Sequence, residues 1–351
     1  MGWSVSFLRV NTSTSDDKDS LYANGIMQIP VIVSIKAIDG NRDPYTLSDS
    51  DLSSIELIDY NDTGKKLSDG WSYTETVNTT YSNSLPARAA LQFTQVQMSL
   101  KEEADGSPQT KKYMVSTTKV ESKKIGARIK QSDGTWVNTH SSDYDSYVTL
   151  QGKTPVKYTL DNVKVESEET ANGTYKFEWQ SAWDLSWGTN YDNKWHQRNY
   201  YVSSQVHKFV KATRHDYDST GNASGHPSDS RLAGLYAYCA PDNKNLKLSF
   251  IWDYGGGTTT KTAGLYKEGT IVDWGVDCKR RAYAYPDIKV NQKSNAVCLT
   301  RLAVDCPDEI WGSKWSNDNC GFQVWDEYGN TGKFAAGFSD DHDAVTIKSD
   351  S

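Results

Sequence analysis

Long apolar runs are missing from this 351-residue chain. No stretch approaches the roughly 20 apolar residues that a membrane-spanning helix needs. The first residues also lack the basic region and apolar run of a secretory signal peptide. We therefore expect a soluble protein without a signal peptide or transmembrane helix, either cytoplasmic or released by a signal-independent route.

Positive charge is also scarce. The formal net charge is −7 at pH 7, and the longest basic run is Lys279-Arg280-Arg281. Nucleic acids and anionic membrane surfaces bind proteins through clustered Lys and Arg. The composition therefore excludes nucleic acid as a partner and disfavours an anionic membrane.

Cysteine is sparse, and its spacing is uninformative for metal binding. The five cysteines fall in the last third of the chain, at Cys239, Cys278, Cys298, Cys306 and Cys320. Their odd number and the lack of a Cys-x-x-Cys pair argue against a zinc ribbon and a full disulfide framework. We expect small buried side chains, and an oxidising environment leaves one or two disulfides open.

Motifs of metal sites and of catalysis are missing as well. The six histidines have no zinc-binding spacing, and the EF-hand-like run from Asp216 has Pro227 where a Glu is required. No Gly-x-Ser-x-Gly elbow or Walker loop is present. The sequence predicts no catalytic residue, no metal site and no cofactor.

What the chain does contain is apolar and polar residues alternating with a period of two. Between Asn24-Gly25 and Asp39-Gly40, one face of the segment 26–38 is an apolar row of Met27, Ile29, Val31, Val33, Ile35 and Ala37. Successive strand residues point to opposite faces, so such a row packs on a core. One short helical turn is expected near residues 45–52, capped by Ser48 or Asp49. We predict an all-β protein with little helix.

The pattern suggests two or three β-sandwich-like, immunoglobulin-like domains. Residues 1–100 are expected to form an immunoglobulin-like β-sandwich with a strand near 89–100. Residues 101–215 are expected to form a hairpin-rich domain with an aromatic cluster. A polar linker or loop over 216–231 precedes a β-sandwich over 232–351 that holds the cysteines.

Two segments carry a family resemblance. Tyr22-Ala23-Asn24-Gly25, with the strand that runs to Asp39-Gly40, resembles the opening strand of bacterial immunoglobulin-like domains of adhesins. The segment from Asp326-Glu327-Tyr328-Gly329 to Phe334 looks like a strand–turn–strand of the same kind. The resemblance covers residues 22–60 and 324–338 and implies a β-sandwich without catalytic residues.

Aromatic residues crowd two polar stretches. The first combines rings with hydrogen-bonding side chains at Trp179, Trp183, Trp187, Tyr191, Trp195, His196 and Arg198, and the second contains Trp311 and Trp315. Sugar-binding sites use a flat ring against the C–H face of the sugar and polar groups for its hydroxyls. The competing interpretation is that these rings fill the core of a polar-rich β domain. We predict that these nine residues bind a ligand.

The favoured function is therefore non-enzymatic binding of a glycan or host cell-surface receptor, with a homo-oligomer left open. One alternative is a bacterial β-pore-forming toxin, with insecticidal activity left open, because residues 112–131 and 145–165 alternate as membrane hairpins do. Only this alternative involves a membrane. Another is a carbohydrate-active enzyme that uses carboxylates near aromatic residues, namely Glu178, Asp184, Asp253 and Asp326.

Overall fold

The computed structural model describes residues 2–85, 107–221, 233–240, 244–255, 257–291, 293–311, 315–317 and 320–350. It is nearly all β, as the alternation predicts. The predicted strand near 89–100 and most of the predicted linker lie outside the described residues. The chain divides into two compact units: unit 1 is Met1–Val156 with Glu327–Asn330, and unit 2 is Lys157–Asp326 with Thr331–Ser351.

Unit 1 contains two main sheets. Its elements are β1 (Trp3–Thr12), β2 (Lys18–Tyr22), β3 (Ile29–Asp39), β4 (Pro44–Tyr45), α1 (Asp49–Ser53), β5 (Glu56–Asp59), β6 (Asp62–Lys66), β7 (Trp71–Thr74), β8 (Gln109–Thr117), β9 (Ser122–Lys130), β10 (Trp136–Asn138) and β11 (Val148–Lys153). One sheet has the order β1-β3-β8-β7, with β4 beside β3. The other has the order β2-β11-β9-β5-β6, with β10 beside β9.

The apolar row of β3 faces the core as predicted. Val31, Val33 and Ile35 are buried, and they join residues of the second sheet in one apolar cluster. The two sheets therefore pack as a sandwich. The short helix also forms where expected: the Ser48 hydroxyl accepts from the Asp51 amide, and the Asp51 carboxylate accepts from the Ser48 amide.

The boundary of unit 1 lies at Val156, whereas the sequence suggested boundaries near residues 100 and 216–231. The physical reason is strand pairing over long sequence separations. Strand β8 pairs with β3, and β11 pairs in parallel with β2. Residues 109–153 therefore complete the sheets that residues 3–39 begin.

The two segments that carry the family resemblance meet in unit 1. The Asn24 side-chain amide donates to the Tyr328 carbonyl at 2.9 Å and to Asn330 Oδ1 at 3.1 Å. Tyr328 is buried in the apolar cluster of unit 1, beside the ring of Tyr22. Each of the two turn sequences thus contributes to the same local structure.

Unit 2 is built around an eight-stranded sheet. Its strands are β12 (Val163–Gln180), β13 (Trp187–Ser204), β14 (Phe209–His215), β15 (Leu235–Cys239), β16 (Leu246–Ile251), β17 (Thr259–Thr262), β18 (Leu265–Asp273), β19 (Val276–Ala284), β20 (Asp287–Val290), β21 (Ala296–Val304), β22 (Trp315–Asn317), β23 (Cys320–Asp326), β24 (Thr331–Phe338) and β25 (Val345–Ser349). The large sheet has the order β18-β19-β12-β13-β21-β16-β15-β22. A four-stranded sheet, β14-β23-β24-β25, and a two-stranded sheet, β17-β20, complete the unit.

The five cysteines are all buried and free, as expected for small core side chains. Burial raises the pKa of the Cys298 and Cys320 thiols to about 12. Because the thiolate is the reactive form, these two side chains are inert at neutral pH. Within the described residues, no helix is both long and apolar enough to cross a membrane.

Candidate functional site

The first aromatic cluster lies on one long hairpin. Strands β12 and β13 pair from Val163 with Ser204 to Gln180 with Trp187, at the end where the chain turns. Residues directly opposite each other in an antiparallel pair share a face of the sheet. The hairpin therefore divides the predicted site residues between an inward and an outward face.

Trp179 and Trp195 belong to the inward face, and each indole lies over a glycine of the opposite strand. Trp179 pairs with Gly188, and Trp195 pairs with Gly173. A Cβ atom built on Gly188 would lie 2.4 Å from Trp179 Cε2, and one on Gly173 would lie 2.8 Å from Trp195 Nε1. Trp195 is buried in the unit 2 core and Trp179 packs against it. These two rings therefore serve packing.

Gly188→Val is expected to lower the free energy of unfolding by about 2 kcal/mol, because the new side chain must displace the Trp179 indole. The measurement is urea unfolding of the full chain followed by circular dichroism. Thr189→Val is the control, since it places the same valine side chain at the next position, which is exposed. Equal stability of the two variants would contradict the packing assigned to Trp179.

The outward face presents a different set of rings. Trp187 is 41% exposed and stands beside β12, and Tyr191 is 63% exposed. Strand β19 pairs with β12, and β18 pairs with β19, so their outward residues extend the same surface. We call this surface the aromatic face and define it by Lys176, Glu178, Trp187, Tyr191, Tyr266, Glu268, Arg281 and Tyr283.

Ring–cation and ring–ring contacts constrain the side chains of the aromatic face. The Arg281 guanidinium carbon lies 4.3 Å from the Trp187 ring centroid, and Lys176 Nζ lies 4.7 Å from that of Tyr283. The rings of Tyr266 and Tyr283 are 5.2 Å apart. Because the rings of Trp187, Tyr266 and Tyr283 each have a cation or another ring beside them, their orientation is constrained before any ligand arrives.

Two carboxylates connect these groups. Glu178 accepts from the Tyr283 hydroxyl at 3.1 Å and is paired with Lys176. Glu268 accepts from Arg281 Nε at 2.8 Å and from the Tyr266 hydroxyl at 3.3 Å. The hydrogen bond from Lys176 lowers the pKa of Glu178, and the one from Arg281 lowers the pKa of Glu268. Both carboxylates are therefore ionised at neutral pH and act as hydrogen-bond acceptors.

His196 and Arg198 also point outward, but they lie elsewhere on β13. His196 lies nine positions after Trp187, which is roughly 30 Å along a strand. His196 Nε2 lies 3.1 Å from Arg301 Nη1, and Arg301 is paired with Asp343. Arg198 is exposed and pairs across the sheet with Arg301. The structure therefore does not bring these two residues to the aromatic face.

The remaining predicted residues lie in three different places. Trp183 lies in the connection between β12 and β13 and is exposed. Trp311 is buried in the unit 2 core, where its ring offers no face to a ligand. Trp315 lies in β22, which pairs with β15.

The four carboxylates of the enzyme alternative are dispersed and already engaged. Asp184 accepts from the Ser186 hydroxyl, Asp253 is paired with Arg214, and Asp326 is buried and accepts from the Tyr158 hydroxyl at 2.9 Å. Glu178 is paired within the aromatic face. The lowered pKa values of Glu178 and Asp184 make both poor proton donors near neutral pH.

Five of the eight residues of the aromatic face were missed at the level of sequence, namely Lys176 and four residues of a later hairpin. Tyr266, Glu268, Arg281 and Tyr283 come from the β18–β19 hairpin, about 90 residues after the first cluster. The available signal was the alternation in that hairpin, which places Tyr266 and Glu268 on one side. Within the residues that the structure describes, no group of three or more His, Cys, Asp or Glu side chains is arranged to hold a metal ion.

Comparisons with known proteins add little to this geometry. No family model and no curated protein sequence matches the chain. One solved structure, the C-terminal domain of the AgI/II polypeptide BspA from Streptococcus agalactiae, aligns over 98% of this chain and 100% of its own, with 9% identity. Its TM-score is 0.21, which does not establish a shared fold. The resemblance to bacterial immunoglobulin-like domains therefore stays a prediction.

Proposed function

We propose that this chain is a non-enzymatic binding protein whose aromatic face binds a cell-surface glycan. The observation that carries the proposal is the set of outward rings on β13, β19 and β18, interleaved with ionised side chains of β12, β18 and β19. Trp187, Tyr191, Tyr266 and Tyr283 supply the rings. Such rings bury the C–H faces of sugars, while nearby charged groups bind the hydroxyls.

The shape of the surface favours an extended ligand. Neighbouring strands are about 4.8 Å apart, so the four strands of the aromatic face span roughly 15 Å. That width accommodates several sugar rings side by side. Glu178 and Glu268 accept from ligand hydroxyls, and Lys176 and Arg281 donate to them, so both kinds of hydrogen bond are available. The free ligand is uncharged or weakly charged in this picture, because the cations of the face are already paired.

The paired carboxylates argue for binding rather than cleavage. A glycosidase needs one carboxyl group that is protonated at the working pH and that donates to the leaving oxygen. Lys176 and Arg281 hold the pKa of Glu178 and Glu268 below its usual value, which opposes that role. Glycan binding without turnover is thus the expected behaviour.

Removal of the rings is expected to abolish most of the binding. On a glycan array, Trp187→Ala and Tyr283→Ala should each weaken binding at least tenfold, since a central aromatic residue contributes about 2 kcal/mol to an interface. Trp136→Ala, at an exposed tryptophan of unit 1, is the matched control and should bind normally. Circular dichroism of each variant checks that the fold is retained.

Other results would favour the other functions. Undiminished array binding by folded Trp187→Ala and Tyr283→Ala proteins would remove the aromatic face from the site. Hydrolysis of a bound oligosaccharide would favour the enzyme. Dye release from vesicles by the full chain would favour the pore former, in which residues 112–165 insert into the membrane. Such insertion requires β8 and β9 each to leave a sheet of unit 1.

A further inference from the structure

Two hairpins of unit 2 turn at the same end of the strands of the large sheet. Trp179 of β12 pairs with Arg280 of β19, and the two strands are antiparallel. The chain therefore leaves β12 at the same end of the sheet at which it enters β19. Residues 181–186 connect β12 to β13, and Trp274-Gly275 connects β18 to β19. Because β12 and β19 are neighbours, and Trp183 and Trp274 lie four and six residues beyond the Trp179–Arg280 pair, the two connections are roughly 10–15 Å apart.

Both connections present large apolar side chains to solvent. Trp183 is 90% exposed and Trp274 is 86% exposed. Leu185 and Val272 beside them are also exposed. We call these four side chains the hairpin ends. Isolated exposed apolar residues are ordinary, but four on two adjacent connections form a patch that needs an explanation.

The backbone at the hairpin ends is in a conformation that bulky residues avoid. Leu185 has φ of 56° and Trp274 has φ of 49°. Gly275 follows with φ of 78°, so this two-residue turn has the left-handed pattern that favours Asn-Gly. A bulky side chain there costs on the order of 1 kcal/mol. Neither side chain recovers that cost by burial in the core, which points to a contact outside the chain.

A lipid surface suits projecting ends better than a rigid pocket does. The connections keep their own hydrogen bonds, since the Ser181 amide donates to the Ser186 carbonyl and the Leu185 amide to the Ser181 carbonyl. Entry into the interface of a bilayer would therefore leave few backbone groups unsatisfied. Tryptophan is the side chain that concentrates at this depth, with its ring among the headgroups.

The charge around the hairpin ends indicates which kind of lipid headgroup they would contact. Asp184, Asp273 and Asp277 lie within three residues of the exposed rings. The nearest cations are already engaged, Arg280 with Asp308, and Lys279 and Arg281 with Glu268. Excess carboxylates repel anionic headgroups, whereas a choline ammonium is attracted both to them and to the face of an indole ring.

We propose that the hairpin ends dock this protein onto zwitterionic bilayers rich in phosphatidylcholine. The contact is peripheral, and it is independent of glycan binding at the aromatic face. Both sites lie on the same four strands, so the protein would meet a membrane with the aromatic face beside it.

Flotation with phosphatidylcholine vesicles tests the proposal on the full chain. The unmodified protein should float with the vesicles, and Trp183→Ala combined with Trp274→Ala should weaken binding at least tenfold. Val120→Ala combined with Trp136→Ala removes exposed apolar side chains from unit 1 and should leave binding unchanged. Replacing a third of the lipid by phosphatidylserine should weaken binding.

Three outcomes would overturn the proposal. The unmodified protein does not float with phosphatidylcholine, the folded Trp183/Trp274 double variant floats as well as the unmodified protein, or phosphatidylserine strengthens the binding. The glycan array separates this proposal from the first one. The double variant should retain glycan binding, and Tyr283→Ala should retain vesicle binding.

Discussion

Gly152→Ala is expected to lower the free energy of unfolding by about 3 kcal/mol, the upper part of the range for overpacking a buried site. Gly152 is buried in β11, between β2 and β9. A Cβ atom at this position would lie 1.9 Å from the Lys119 carbonyl oxygen. Because that oxygen belongs to the backbone, no side-chain rotation relieves the contact. The strand and the segment before β9 must move apart.

The movement would also break hydrogen bonds between β11 and its neighbours in unit 1. The Gly152 amide donates to the Glu121 carbonyl at 2.8 Å, and Gly152 stands opposite Leu21 in the parallel pair of β11 and β2. Urea unfolding gives the free energy. Hydrogen exchange read by mass spectrometry should show faster exchange over residues 18–22 and 148–153.

Gly40→Ala is the control for the same chemical change. An added Cβ at Gly40 meets nothing within 4 Å, and the backbone of Gly40 is not in the left-handed region. Its expected effect is within 0.5 kcal/mol. Equal effects of the two substitutions would mean that the approach of Lys119 to β11 is not a constraint on the fold.

The difference between these glycines shows which parts of the fold the sequence could predict. Local rules sufficed for β3, where alternation places Val31 and Val33 in the core, and for the short helix, whose cap is Ser48, one of the two candidates. They could not show that β11 pairs with β2 across more than 100 residues. Pairing of that kind depends on which strand edges remain unpaired after the local hairpins form. The alternation of apolar and polar residues does not specify those edges.

As with the fold, only the local features of the candidate site could be predicted from the sequence. A hairpin-rich domain with an aromatic cluster was expected, and Trp187 and Tyr191 are exposed as a binding surface requires. The division into two faces was hidden because the register between β12 and β13 includes irregularities near Ala171 and Phe177. With the register known, the glycines opposite Trp179 and Trp195 identify these two rings as packing residues. The contribution of Tyr283 depends on β19 lying beside β12, which is again a long-range pairing.

Asn199→Ala is expected to destabilise unit 2 by about 3 kcal/mol, because it leaves several buried polar groups without partners. Asn199 is fully buried on β13. Its amide donates to the Lys289 carbonyl at 2.9 Å and to the Tyr201 hydroxyl at 3.1 Å. Its oxygen accepts from Gln197 Nε2 at 2.8 Å and from the Thr300 hydroxyl at 2.5 Å. One side chain thus joins β13 to β20 and β21.

A double-mutant cycle with Thr300→Val distinguishes a connected network from separate contacts. The Thr300 hydroxyl donates to Asn199 and accepts from Trp252 Nε1 at 2.8 Å. If the groups act together, the double variant should be more stable than the sum of the single effects predicts, by about 1 kcal/mol. Urea unfolding measures all three variants, and Asn41→Ala, in an exposed turn, should change stability by less than 0.5 kcal/mol. Strict additivity would show that Asn199 and Thr300 contribute independently to the stability of unit 2.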